Sequence, residues 1–211
     1  MYNQFYENLS ENSKSLIDYG YKIFDIEDVN LLGDIEDDFK SFLKSKNDLD
    51  VKDLSDLHNH LEVSEVNQLR INYFQKINTD RSFSKQYLKM GEKIIHEVVG
   101  TELAANKTVN FSIQMPHDET SLLGIHSDTF SGESEFQINL WIPITNSFQT
   151  NSMFFFNPEF SKEIIDNIEK YEEVGIKSML ENEKDQYQFL ELSHGQGLIF
   201  TPTCLHGNTL N

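Results

Sequence analysis

The spacing of the apolar residues changes near residue 107, and this change constrains the fold more than any other feature. Before it, apolar residues recur every three or four positions, as in 33–46 and 79–100, which is typical of amphipathic helices. After it, they alternate with polar residues, as in 109–115 and 136–144, which is typical of β-strands. The sequence therefore predicts an α+β fold, with a mainly helical part at 1–106 and a β-sheet part at 107–211.

Short strand candidates are spread along the chain. Beyond those two, they lie at 19–26, 122–129, 150–156, 187–193 and 197–206. Many short strands separated by turns predict a sandwich or barrel. A helical insertion is predicted at 160–184. No internal repeat or linker-like stretch divides the chain, so we expect a single domain over 1–211.

Charge and cysteine content exclude several classes of function. The formal net charge of −18 repels phosphate backbones, so we expect no nucleic-acid binding. No apolar run is long enough to span a membrane, and the first residues do not resemble a signal peptide, so we expect no membrane association and a cytoplasmic location. The single cysteine, Cys204, excludes an internal disulfide, and we expect it to be a buried apolar residue rather than a nucleophile.

Uncharged polar residues alternate with apolar ones in two of the predicted strands. They are Asn110, Ser112, Gln114, Gln137 and Asn139. Two interpretations are open: a solvated outer face of a sheet, or a polar wall inside a cavity. Residues 108–117 carry no Lys, Arg, Asp or Glu, whereas the outer face of so acidic a protein would be expected to carry charge. This absence favours the cavity.

The stretch "GIHSDTFSGES" at 124–134 places a histidine and a carboxylate one residue apart. At a strand end, His126 and Asp128 project to the same side and could ligate one metal ion, with His206 of "FTPTCLHGN" as third ligand. Two histidines and one carboxylate leave adjacent positions of an iron(II) ion open. Seven histidines make such spacings common by chance, so a surface histidine beside a turn aspartate is the alternative. The remaining histidines are expected to be structural or exposed: His58, His60, His96, His117 and His194.

Five short motifs occur along the chain in a characteristic order. They are "IQMP" at 113–116, "HSDTFSGES" at 126–134, "LWIPIT" at 140–145, "TNSM" at 150–153 and "LHGN" at 205–208. In this order, and over roughly residues 19–208, the chain resembles the iron(II)/2-oxoglutarate dioxygenases of the phytanoyl-CoA-hydroxylase-like superfamily. It is similar to a sporadic group from bacterial carbohydrate-biosynthesis gene clusters, related to an oxygenase of streptomycin biosynthesis.

The resemblance implies a double-stranded β-helix, which is a cupin-like jelly roll, with the helical half packed on the sheet. It implies Fe(II) held by His126, Asp128 and His206, and 2-oxoglutarate as cosubstrate. Gln114 and Asn139, from the polar faces of two predicted strands, are the candidate cofactor-binding residues. The implied reaction is hydroxylation of a small molecule, a sugar or nucleotide-linked sugar, coupled to conversion of 2-oxoglutarate into succinate and CO2. The oligomeric state is not indicated.

One departure from the family concerns the cosubstrate. The family anchors the distal carboxylate of 2-oxoglutarate with an arginine on the strand after the second histidine, since a guanidinium binds a carboxylate through two parallel hydrogen bonds. This chain has only Arg70 and Arg81, both in the helical half, and ends five residues after His206. We therefore expect a fragment of a longer reading frame that lacks its C-terminal strand.

The absent arginine keeps two other functions open. The chain could be a metal- or ligand-binding cupin-like protein without oxygenase activity, or a metal-dependent isomerase or epimerase on the same scaffold.

Overall fold

The computed structural model describes residues 6–169 and 183–211. Within them, the α-helices are α1 (Glu11–Tyr19), α2 (Val29–Asn47), α3 (Val63–Ile77), α4 (Ser82–Met90), α5 (Glu92–Val98) and α6 (Pro158–Asp166). The strands are β1 (Tyr21–Asp25), β2 (Asn139–Trp141), β3 (Met153–Phe156), β4 (Tyr187–Phe189), β5 (Gln196–Phe200) and β6 (His206–Asn208). The predicted α+β class is confirmed.

The strands form two three-stranded antiparallel sheets, in the orders β1-β5-β2 and β4-β3-β6. The central strands β5 and β3 are the most buried, because both of their edges are paired and their side chains face the core. The predicted early strand at 19–26 is confirmed as β1, which pairs with β5 over five residues. The first and last parts of the chain therefore share a sheet. The jelly-roll barrel itself stays a prediction.

The helical half has an aromatic core of its own. Helix α2 buries the face that the spacing predicts, made of Ile35, Phe39, Phe42 and Leu43, and it also buries Leu32, which lies before the predicted segment. Phe39 packs on the buried Tyr73 of α3 with ring centroids 4.6 Å apart, and the Tyr73 hydroxyl donates to Asp38 at 2.9 Å. Burying side chains of this size stabilises the fold by about 1.5–3 kcal/mol each.

The segment 79–100, whose spacing predicts one helix, forms the two helices α4 and α5 instead. They meet at Gly91, where a Cβ would lie 2.9 Å from a methyl group of Leu140 on β2. The glycine therefore allows the helix pair to approach the sheet more closely than any other residue would. The prediction of an unbroken helix was wrong. The spacing of apolar residues indicates which face of a helix is buried, but it does not indicate where a glycine lets the helix end against a neighbouring strand.

Residues 107–115 do not form the predicted strand. The Val109 N–H donates to the Asn78 side-chain oxygen at 2.8 Å, and the Val109 carbonyl accepts from the Asn78 amide at 3.0 Å. One side chain thus provides both bonds that a neighbouring strand would provide. The apolar side chains nevertheless pack on the helical core, as the alternation predicts: Val109, Phe111, Ile113 and Met115. The prediction was right about burial and wrong about backbone pairing.

Two further predicted strands are shortened for the same reason. In 136–144, strand β2 ends at Trp141, and the next N–H, that of Ile142, donates to the Tyr87 hydroxyl at 3.1 Å. In 122–129, the Leu123 N–H donates to the Asn208 side-chain oxygen at 2.5 Å, and only an isolated bridge forms, at His126. Side chains have replaced strand partners in both segments.

The helical insertion predicted at 160–184 is described only in part. Helix α6 follows Asn157, whose side chain accepts a hydrogen bond from the Phe160 N–H and so caps its start. Residues 170–182 of the prediction lie outside the described residues. Within the described ranges, no helix combines the length and the apolar character needed to cross a bilayer.

Gly20 offers a test of the packing between α1 and the second half of the chain. Its φ is +79°, and a Cβ there would collide with the Cys204 sulfur. We predict that Gly20→Ala lowers the free energy of unfolding by about 1–3 kcal/mol, measured by urea denaturation. The control is Gly33→Ala inside α2, where a Cβ meets nothing within 4 Å and should raise stability by about 0.5–1 kcal/mol. Equal stability of the two variants would contradict the packing described.

Candidate metal centre

His126 and His206 lie directly opposite each other on neighbouring antiparallel segments. The His126 N–H donates to the His206 carbonyl at 3.0 Å, and the His206 N–H donates to the His126 carbonyl at 2.9 Å. Residues paired in this way place their side chains on the same face, and the two ring centroids are 4.4 Å apart. Strand β6, which carries His206, pairs along its other edge with β3. The bridge therefore extends the second sheet by one residue pair.

Asp128 completes the cluster from the start of the short 3-10 turn Asp128–Ser131. Its Oδ1 lies 3.6 Å from His126 Nε2, and its Oδ2 lies 3.7 Å from His206 Nε2. The intervening Ser127 is fully buried and donates from Oγ to the Pro202 carbonyl at 2.7 Å. This bond ties the segment with the first two ligands to the turn that precedes the third.

The hydrogen bonds of the two imidazoles fix which nitrogen is free to bind a metal. His126 Nδ1 lies 2.8 Å from the Gly124 carbonyl, and His206 Nδ1 lies 2.9 Å from the Cys204 carbonyl. A carbonyl oxygen can only accept, so each Nδ1 carries the proton and each neutral ring leaves a lone pair on Nε2. Both lone pairs thus lie beside the Asp128 carboxylate. Metal-binding histidines in proteins are oriented by the same kind of bond.

This arrangement fits a divalent cation. Two nitrogen lone pairs and a carboxylate repel one another unless a positive charge lies between them. One ligand atom from each of the three residues lies within 4.8 Å of the others. Ligand atoms about 2.1 Å from a shared ion are roughly 3–3.5 Å apart, so only a small contraction is needed. Among the described residues, no other group of three or more histidine, cysteine, aspartate or glutamate side chains has its ligand atoms this close together.

The pKa values of the three groups follow from their surroundings. The neighbouring Asp128 carboxylate stabilises the protonated ring and raises the pKa of His126, whereas burial lowers the pKa of His206. Burial opposes ionisation of Asp128, but the neighbouring His126, His206 and Asn139 outweigh it and hold the pKa of that carboxyl below its ordinary value. At neutral pH the cluster therefore contains an anionic carboxylate and a neutral His206, the protonation states that metal binding requires.

The cluster is closed on one side and open on the other. The His206 side chain is only 6% exposed and lies against the rings of Phe155 and Phe200, with centroids 5.9 and 5.1 Å away. The side chains of His126 and Asp128 are each 24% exposed. The exposed part of the cluster is therefore on the side of these two residues.

The residues after His206 explain the "LHGN" motif. A Cβ on Gly207 would lie 2.8 Å from the Leu123 carbonyl oxygen and 3.1 Å from that of Gly124, so only glycine allows this approach. Asn208 then bonds the same loop twice, because its N–H donates to the Leu123 carbonyl at 3.1 Å and its side-chain oxygen accepts from the Leu123 N–H. These contacts hold the loop whose Gly124 carbonyl orients His126. Sequence reasoning missed Asn208 and Ser127, which carry no metal-ligand signal of their own.

The two candidate cofactor-binding residues have different surroundings. The Gln114 amide donates to the backbone carbonyls of Thr209 and Thr150, at 2.6 and 3.3 Å, so its recorded partners are main-chain groups outside the cluster. Asn139 lies in the cluster, but its Nδ2 donates to Asp128 Oδ2 at 2.5 Å. The structure thus brings Asn139 to the metal ligands, and the binding of a cosubstrate by either residue stays a prediction.

The two arginines of the chain lie on or beside helices of the helical half. Arg70 donates to Asn67 on the same helix, and the exposed Arg81 directly precedes α4. Within residues 6–169 and 183–211, the ion pairs of Asp128 are those with His126 and His206. Two surface cavities, of about 570 and 380 Å³, are lined by residues outside the cluster. Neither cavity marks the cluster, so its identification as a candidate metal site depends on the geometry of its three side chains.

The predicted exposure of the other histidines and the predicted burial of Cys204 are confirmed. All five remaining histidines are exposed, namely His58, His60, His96, His117 and His194. Cys204 is 2% exposed, and burial raises the pKa of its thiol. Its carbonyl accepts a hydrogen bond from the His206 ring.

We predict that the folded protein reacts slowly with a thiol reagent. Burial and a raised pKa keep the Cys204 sulfur protonated and inaccessible at neutral pH. Reaction with a chromogenic disulfide should be at least about tenfold slower in buffer than in denaturant. Equal rates in the two solutions would contradict the burial of this side chain.

Removal of one ligand tests the cluster directly. We predict that His126→Ala loses iron(II), because two remaining ligands hold a labile divalent ion poorly. Iron is measured by elemental analysis after anaerobic loading and desalting. His117→Ala is the matched control, since this exposed histidine is not among the clustered ligand residues. An iron content of His126→Ala equal to that of the control would remove His126 from the site.

Comparison with known proteins provides no family for the chain. No protein-family model matches the sequence, and no curated protein is significantly similar to it. The assignment of His126, Asp128 and His206 as a possible metal site therefore rests on the geometry of the cluster and on the chemistry of its ligand atoms.

Proposed function

We propose that this chain is a non-haem iron(II)- and 2-oxoglutarate-dependent oxygenase on a jelly-roll scaffold, acting on a small molecule. The observation that carries the proposal is the pair of imidazoles whose Nδ1 atoms are engaged by backbone carbonyls, which leaves both Nε2 lone pairs beside one carboxylate. Two histidines and one carboxylate with open positions are the ligand set of non-haem iron(II) oxygenases.

The chain's own residues hold the metal and limit access to it. His126, Asp128 and His206 would provide three ligands, and the exposed side at His126 and Asp128 would leave room for a cosubstrate and dioxygen. When bound, iron(II) with 2-oxoglutarate and dioxygen supplies the oxidising power for hydroxylation. Phe155 and Phe200 keep water from the buried side of His206, so its ring keeps one orientation.

Charge supports an uncharged substrate. Residues 108–161 and 185–211, which provide the metal ligands and their neighbours, contain neither lysine nor arginine. A nucleotide-linked sugar carries a diphosphate, which proteins bind with cationic side chains or helix N-termini. We therefore propose a neutral sugar or similar polyhydroxylated molecule, in preference to a nucleotide-linked one.

The same absence favours a second candidate function, a cupin-like metal-binding protein without oxygenase activity. The dianion 2-oxoglutarate can bind the metal through one end, but its distal carboxylate needs a cationic or hydrogen-bonding partner. No lysine or arginine from 108–161 or 185–211 can be that partner. Metal binding and 2-oxoglutarate binding are therefore separate questions for this chain.

One experiment distinguishes the two functions. The protein is loaded anaerobically with iron(II) and then with 2-oxoglutarate, and the visible charge-transfer band of the chelate is recorded. We predict a band, followed by succinate release in air, and neither in His206→Ala. Iron binding without a band or succinate would overturn the oxygenase and leave the metal-binding protein. Absence of iron binding in the parent protein would overturn both.

A further inference from the structure

We propose that Asn139 is a positioning residue for the metal centre and that Gln137 orients it. In this proposal, Gln137 holds the Asn139 amide, and Asn139 holds the Asp128 carboxylate in the rotamer that metal binding needs. The proposal rests on the metal-binding function inferred above, and it assigns to Asn139 a role toward a protein ligand instead of a role toward a cofactor.

The hydrogen bonds of Asn139 have only one consistent orientation. Its Nδ2 donates to Asp128 Oδ2 at 2.5 Å, and its Oδ1 accepts from Gln137 Nε2 at 3.0 Å. An ionised carboxylate can only accept, so the amide nitrogen has to face Asp128. The Asn139 oxygen then faces Gln137, whose amide nitrogen can donate to it. The three side chains form a directed chain that ends on the metal ligand.

Asp128 needs such support because its own position does not fix its carboxylate. The residue starts a short 3-10 turn and is 24% exposed, so packing alone does not select one side-chain rotamer. The bond to Asn139 engages Oδ2, while Oδ1 remains 3.6 Å from His126 Nε2. Asn139 therefore leaves one oxygen available toward a metal and fixes the direction in which that oxygen points.

Asn139 is itself on a well-anchored element. It pairs with Phe200 of the central strand β5, and the next residue, Leu140, pairs with Ile199. The Tyr87 hydroxyl donates to the Leu140 carbonyl at 3.1 Å and accepts from the Ile142 N–H. Strand β2 is thus fixed on one edge by a strand and near its end by a helix side chain. A residue on such an element can hold a ligand more accurately than a loop residue can.

Cobalt(II) binding tests the proposal, with the affinity and the visible absorption of bound cobalt as readouts. Asn139→Leu keeps the side-chain size but removes both hydrogen bonds, and we expect about 10–100-fold weaker cobalt binding and a changed spectrum. Gln137→Ala should weaken binding by a smaller factor. The double variant should bind no more weakly than Asn139→Leu alone, because Gln137 acts only through Asn139. Asn110→Leu, at an exposed asparagine, is the matched control and should bind as the parent does.

Thermal unfolding of the metal-free variants separates positioning from general stabilisation. We expect the metal-free Asn139→Leu and Asn110→Leu proteins to unfold at similar temperatures while their cobalt affinities differ. If Asn139→Leu binds cobalt with the affinity and the spectrum of the parent, the positioning role is overturned and the metal site stays intact. Additive losses in the double variant would overturn the role of Gln137. Absence of cobalt binding in the parent would instead overturn the metal-binding function, and this proposal with it.

Discussion

The backbone bridge between His126 and His206 is the interaction on which the rest of the site depends. It joins residues 80 positions apart, and closing a chain of that length costs roughly 4 kcal/mol in entropy. Its two hydrogen bonds contribute only about 1 kcal/mol each. The bridge therefore needs the contacts around it, namely the pairing of β6 with β3, the Ser127 bond to the Pro202 carbonyl and the Asn208 bonds to Leu123. The last two contacts join the same two stretches of chain as the bridge, so they form together with it.

The buried ligand connects this bridge to both sheets. Phe155 on β3 stacks on the His206 ring, and Phe200 on β5 meets it edge-on, while the two phenyl rings lie 5.8 Å from each other. Strands β3 and β5 are the central strands of their sheets. His206 is thus placed where the two sheets meet, and the apolar surroundings that fix its ring also keep it neutral. The apolar contacts of the His206 ring therefore determine both its orientation and its protonation state.

The sequence predicts which side chains are buried better than it predicts what pairs with the backbone. Alternation correctly marks Phe111 and Met115 as inward-facing, and the sequence singles out the two histidines and the aspartate that the structure brings together. However, Asn78, Tyr87 and Asn208 take over the backbone hydrogen bonds of Val109, Ile142 and Leu123. Such a substitution depends on a side chain distant in sequence, and no local pattern indicates it. The hydrogen bond between Asn139 and Asp128 is likewise visible only in the structure, because it joins side chains from two separate segments. The polar alternation indicates Asn139 as a candidate site residue but does not indicate its partner.

Charge balance at the centre limits what it can bind next. Metal binding requires both imidazoles to be neutral, so the three side chains then carry a charge of about −1, and a divalent ion would leave the centre at about +1. That charge suits a ligand that brings one negative group to the metal. Segments 108–161 and 185–211, which contain the three side chains, provide no lysine or arginine that could pair with a second negative group on that ligand. Whether hydrogen-bond donors such as amides and hydroxyls can stabilise that group therefore decides between a cosubstrate-dependent oxygenase and a simpler metal-binding protein.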